Sequence, residues 1–196
     1  MVARACVLIA LLVNLLVSRA DINRALALAR WPHTAAERTR FHDPYFVFAA
    51  TQGLGEFRTL VLQVEVVTEF RRVELLAEEH QQINDNFGRG GTDEVVQVMR
   101  PWRGKVAIDA HLQLPDQHDP IPATEIEIAG VGSAPARQVL RSVAFSRSSF
   151  PQQWLQGNMV ESVFDAAAVG QTSREVSVIV GGRELARATV DFSKLE

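Results

Sequence analysis

Cysteine is almost absent. The single one, Cys6, lies inside an apolar run near the start of the chain. This excludes an intrachain disulfide framework and a thiolate metal centre, and any thiol chemistry goes too if that first segment is removed. Clustered positive charge is also missing. Lys and Arg number 20 against 23 Asp and Glu, a formal net charge of −3. That balance argues against nucleic acid and against anionic membrane surfaces as partners. The nucleophile-elbow pattern G-x-S-x-G is absent, and Val131-Gly132-Ser133 is only a loop fragment. There is no N-x-Ser/Thr sequon, no internal repeat and no low-complexity tract.

The first twenty residues do carry a signal. Arg4 supplies a short positive start, residues 5–17 (ACVLIALLVNLLV) form an apolar run of secretory length, and Ser18-Arg19-Ala20 offers small residues for a cleavage site. Residues 1–20 are therefore read as a signal peptide cut before Asp21. The run is too short, and too interrupted by Asn14, for a comfortable membrane span, so no transmembrane segment is expected after processing. Removal of Arg4 and Arg19 takes the 20 basic residues to 18 against 23 acidic ones, a net charge of −5. The expected location is periplasmic or extracellular. Without disulfides the processed chain must rest on its core, and its length allows one.

The clearest local pattern is at the other end. Val176, Val178 and Val180 alternate with polar neighbours, Gly181-Gly182 follow, and Ala186, Ala188, Val190 and Phe192 then share one face. Two alternating runs joined by Gly-Gly predict a β-hairpin, because a type I′ turn needs positive φ at both central residues. Further strands are expected at 45–50, at 60–67 with Leu60, Leu62, Val64 and Val66 inward, and at 106–114 with Asp109, His111 and Gln113 outward. Three more are expected at 124–129, at 138–146 with Val139, Val143 and Phe145 on one face, and at 158–165. Residues 130–135 read as a loop. Helical spacing is expected from Asp21 as cap to Trp31, over 35–41 with Thr34 and Glu37 as a capping box, over 69–83, and in a short helix from Thr92. The fold class is mainly β: an antiparallel β-sandwich with N-terminal helical segments packed on it. Residues 21–103 form a helical and strand portion and 104–196 a β-rich portion, the two read as one domain.

The final hairpin resembles the closing pair of an immunoglobulin-like domain, a likeness of pattern that implies no function. Three segments, 41–45 (FHDPY), 69–73 (EFRRV) and 100–104 (RPWRG), are together similar to exported bacterial proteins of uncharacterised families. The resemblance covers most of the processed chain. It implies no activity and assigns no residue a role.

Several residues have chemistry worth placing. Asp109 and His111 are two apart on one strand, and His118 follows in a loop beside Asp116 and Asp119. Imidazole with carboxylates can hold zinc or copper, but this spacing fits no known ligand pattern and reads equally as a solvated strand face. His42-Asp43 before Pro44 offers a general base oriented by a carboxylate, or simply a turn. His80 falls on an apolar stripe and reads as a boundary core residue. Gly88-Arg89-Gly90-Gly91 before a helix start has the form of an anion cradle, although Asp93 and Glu94 would repel the anion. Trp102 and Arg103, within Arg100-Pro101-Trp102-Arg103, are candidates for a binding edge, or for a packed corner covered by arginines. Arg71, Arg72, Glu74, Glu78 and Glu79 read as a solvated helix face with weak ion pairs.

These observations lead to the expectation of an exported, non-enzymatic binding or structural module. Its partner would be an unknown protein or envelope component, and no cofactor is implied. The alternatives are a hydrolase or a metal-binding protein using His42 or His111 with His118.

Overall fold

A computed structural model describes residues 17–29, 34–50, 58–85, 87–115, 121–146 and 154–196. In chain order the elements are α1 (Arg19–Leu28), α2 (Ala35–His42), β1 (Phe46–Ala49), β2 (Leu60–Val67), α3 (Glu69–Gln82), α4 (Thr92–Met99), β3 (Lys105–Pro115), β4 (Thr124–Ile128), β5 (Gly132–Pro135), β6 (Arg137–Ser146), β7 (Trp154–Asp165), α5 (Ala166–Val169), β8 (Ser173–Val180) and β9 (Arg183–Asp191). Short 3₁₀ turns cover Asp43–Tyr45, Arg100–Trp102 and Phe192–Lys194.

The protein is mainly β and contains two antiparallel sheets. One has the strand order β1-β2-β3-β7-β6, the other β5-β4-β8-β9. The closing hairpin forms as its sequence predicts: Gly181 and Gly182 take φ of 57° and 76°, and Val176, Val178 and Val180 turn inward. They meet Ile126 and Ile128 of β4 and the inner residues of the larger sheet, including Ile108, Ala110 and Leu112, in one core. Because β1 and β2 join β3 in the larger sheet, residues on both sides of position 103 build the same layer.

Where strand patterns fail, bulges are the cause. The β2–β3 register shifts between Val61 and Gln63. One extra residue there moves the inward face, so Val61 rather than Leu62 is buried ahead of Val64 and Val66. A similar shift on β6 between Gln138 and Leu140 leaves Val139 exposed, against the expectation that it faces inward. The side chains of Val143 and Phe145 lie outside the described residues. The expected loop at 130–135 contains β5, a short edge strand paired to β4.

The helices form a second, smaller core. Ile22 and Ala25 of α1, Phe70, Val73 and Ala77 of α3, and Val95 and Met99 of α4 pack together. Helix α1 starts earlier than its pattern suggests. Ser18 is the N-cap, and its hydroxyl accepts the Asp21 N–H while the Asp21 carboxylate accepts the Ser18 N–H. Asp21 is therefore the third helical residue and not the cap. Helix α2 carries the expected Thr34–Glu37 capping box, with the Thr34 N–H donating to Glu37 at 2.8 Å. The expected leader lies outside the described residues up to position 16. Among the described residues no helix is long and apolar enough to cross a membrane.

Candidate functional site

Helix α3 has two inner faces. Phe70, Val73 and Ala77 point to the other helices, and Arg71, Glu74 and Glu78, at helical spacing, point elsewhere and are also buried. The expectation of a solvated charged face is overturned for these three: Arg71 is 0% exposed, Glu74 1% and Glu78 5%. The sheet gives the reason. The strand face opposite the core shared by the two sheets is covered, so the residues expected to point into water lie beneath protein. Asp109 and Gln113 of β3 are buried and His111 is half-buried.

On that covered face the carboxylates line up across strands. Glu65 of β2 sits opposite Asp109 of β3, Asp109 opposite Glu161 of β7, and Glu161 opposite Arg137 of β6. Glu65 and Glu161 each turn to an arginine of α3. Arg71 donates from Nε to Glu65 at 2.8 Å, and Arg72 donates to Glu161 at 2.6 Å while Arg137 approaches the same carboxylate at 3.4 Å. The Arg72 guanidinium also lies over the Trp102 ring, 3.5 Å from its centroid. Asp109 is between the two pairs, and its buried Oδ1 has no hydrogen-bond partner. Burial, and then the charge of Glu161, push its carboxyl up to about 7 against the opposing pull of Arg72. Near neutral pH much of Asp109 holds its proton, which is how a carboxyl tolerates a place between two others.

Arg71 is the hub of a second centre. Besides Glu65 it donates to Glu74 at 3.3 Å and contacts His42 Nδ1, and its guanidinium lies 4.9 Å from the Tyr45 ring centroid. Guanidinium only donates, so Nδ1 of His42 is the unprotonated nitrogen and the ring proton sits on Nε2, 3.3 Å from Glu78. One arginine thus serves three carboxyls, two directly and one through an imidazole. Glu65 has the shorter bond, and Glu74 is left as the weaker partner. Burial pushes Glu74 up to about 7, only partly offset by Arg71. Burial also raises Tyr45, and the Glu74 charge adds to it.

Tyr45 and Glu74 lie at one side of a cleft of about 670 Å³ between α1, α2 and the segment after β9. Phe41, Phe70, Leu28 and Leu195 supply apolar walls. Among the described residues no hydrogen bond is made by the Tyr45 hydroxyl.

The residues singled out from sequence fall in different places. His42 joins the Arg71 hub. Asp109 and His111 share a strand face, but His111 pairs across to Gln63 and Met159, and burial lowers its pKa. His118 lies outside the described residues, among which no group of three or more His, Cys, Asp or Glu side chains is placed to hold a metal ion. Trp102 is half-buried beside the helical core and spends its face on Arg72, while Arg103 is exposed. His80 pairs with Asp85 at 2.8 Å and stacks on Phe87. The glycine run before α4 has one N–H, that of Gly88, already donating to Glu94. No motif in the sequence marks Tyr45, Arg71 and Glu74 as one set, since Arg71 and Glu74 read there as a solvated helix face. The available signal was the alternation of an apolar and a charged triplet along one helix, next to two strands carrying Glu65 and Asp109.

Searches among protein families, curated proteins and solved structures return no match to this chain.

Proposed function

We propose that the chain is an exported, non-enzymatic binding module, and that its ligand is a small molecule seated in the cleft beside α3. The observation that carries this reading is the cleft itself. Its volume falls in the range of roughly 300–1,000 Å³ usual for small-ligand sites, and it combines apolar walls with a few convergent polar groups at one side. The hydrolase alternative has less support. His42, the base it would use, has Nδ1 against Arg71 and Nε2 facing Glu78, so neither nitrogen is presented to a substrate.

The export part of the reading rests on residues 1–20, and the immunoglobulin-like description of the sheets on the final hairpin. Cutting before Asp21 would remove the Ser18 cap and the 2.6 Å Arg19–Asp93 ion pair from α1, and N-terminal sequencing of the exported protein locates the actual cut.

A thermal-shift screen of the full chain against small amines, acids, sugars and lipid fragments tests the binding reading. A ligand at a hundred times its dissociation constant adds about 2.7 kcal/mol to the folded state. A flat screen on a cooperatively melting protein would remove the cleft as a ligand site.

A further inference from the structure

The cleft beside α3 has an electrostatic bias that narrows the ligand. Glu74 and Tyr45 are among its lining residues, and both are more than nine-tenths buried. The nearest cation, Arg71, is shared among Glu65, Glu74 and His42, and His42 in turn faces Glu78. Three carboxyls thus gather around the Arg71 guanidinium, while Arg24 and Glu196, paired with each other at 3.0 Å, also act on Glu74 and add no net charge. The phenol oxygen, which has no hydrogen-bond partner among the described residues, can accept from an N–H. The surrounding rings already attract cations: Arg71 lies over Tyr45, and Arg24 lies 4.7 Å from the Phe70 centroid.

We propose that this cleft binds a small organic cation, an amine or guanidine on an apolar body, whose head meets the Glu74 carboxyl and the Tyr45 hydroxyl. This rests on the binding-module reading above and adds the ligand's charge. A positive head supplies the missing counter-charge of the Arg71 cluster, and the apolar body covers Leu28, Phe41 and Leu195. An anion gains no counter-charge from Glu74, and any ionisation of that carboxyl beside it adds repulsion in a poorly solvated place. Arg40 and Lys194 do line the cleft, but both are exposed to water and Lys194 is paired with Asp191 at 3.2 Å. Their pull is screened in a way that of Glu74 is not. Glu37 on the rim is occupied by its capping box. A carboxyl that holds a proton near neutral pH, as Glu74 does, gives it to the buffer when the ammonium group arrives.

The test is isothermal titration of the full chain, at about pH 6, with n-hexylamine, hexanol and hexanoate, which share a tail and differ in head. Hexylamine should bind more tightly than hexanol by roughly tenfold or more, and hexanoate more weakly than either. Repeating the titration in buffers of different ionisation heat should show proton release with the amine alone, a readout that needs no variant. Glu74→Gln should abolish both the preference and the proton release, Tyr45→Phe should weaken the amine a few-fold, and Glu127→Gln, on the exposed face of β4, should change nothing. Equal binding of hexylamine and hexanol, or tighter binding of hexanoate, overturns the cationic ligand and leaves a small-molecule site standing. Failure of all three, while the broader screen still finds a stabilising compound, also removes the cation and leaves the binding reading. Failure of all three with a flat screen removes both.

Discussion

On one face of the five-stranded sheet, Val64, Ile108, Ala110 and Leu112 meet Ile126, Ile128 and Val178 of the other sheet. On the opposite face of the same strands, Glu65, Asp109 and Glu161 lie in a row, with Arg71 and Arg72 of α3 bonded to its two ends. Both faces exclude water, by different physics. The first is held by apolar area and shape, where one aliphatic residue can replace another at modest cost. The second is held by directional pairs in a poorly solvated layer, where each group depends on its partner being present. One strand carries both kinds of seal because its side chains alternate between faces.

The largest test of this contrast is Arg71→Ala. It leaves Glu65 and Glu74 buried without their cation and should cost about 3–5 kcal/mol, read as a lower urea midpoint at unchanged slope. The triple variant Arg71→Met, Glu65→Leu, Glu74→Leu should recover most of that loss, because the desolvation cost leaves with the charges. If the single change costs under about 1 kcal/mol, the charged seal is no different in kind from a surface ion pair.

On the apolar face, Ile108→Ala should cost about 2–5 kcal/mol and Ile108→Val only about 0.5–1.5. A graded response there, against an all-or-none response at Arg71, is the expected signature of the two seals.

The third test uses pH. Asp109 and Glu74 are pushed up to about 7 by burial, from ordinary values near 3.8 and 4.5. Below about pH 3 both are mostly protonated whether the chain is folded or not, so their contribution is intact. As pH rises towards 7 the unfolded chain releases protons that the folded one keeps, and stability is lost. The groups facing them are Glu65, Glu161 and Arg72 for Asp109, and Arg71, Arg24 and Glu196 for Glu74. His111 acts in the other direction, since burial lowers its pKa and its contribution is lost as pH falls. With three carboxyls raised by burial, Glu69 included, against one imidazole, the melting temperature should fall between about pH 5 and 7. Asp109→Asn should flatten that slope and make the protein more stable than the parent at pH 8, by an amount on the order of a few kcal/mol. A parent curve that rises through this range would show that Asp109 is ionised when folded.

The smallest effect is local. Thr34→Ala removes the α2 cap and should cost about 1 kcal/mol with no change in the pH profile, because the cap lies outside the charge layer.

Much of the chain's local structure is legible without coordinates. The Gly181-Gly182 turn, the alternation of Ile126 and Ile128 with Glu125 and Glu127, the Thr34–Glu37 box and the span of α3 all follow from φ preferences, period and capping chemistry. These act within a few residues. The candidate site is different. Arg71, Glu74 and Glu78 look like any solvated helix face, and Asp109 and His111 like any outer strand face, because a charge pattern carries no mark of what covers it. The β2 bulge at Leu62 and the one near Val139 were illegible for a related reason: an extra residue is set by the partner strand, not by the strand that bears it.

The sequence by itself determined most of the elements and the apolar face of those without a bulge, since these rest on interactions between near neighbours in the chain, whereas β5 and the inward faces of β2 and β6 depended on partner strands. Only the tertiary structure decided that two charged faces should close on one another. That pairing joins His42, Glu65, Arg71, Asp109 and Glu161, residues up to 119 positions apart, and their burial raises the Glu74 and Asp109 carboxyls. Desolvation is a property of the assembled layers, and no single segment carries it.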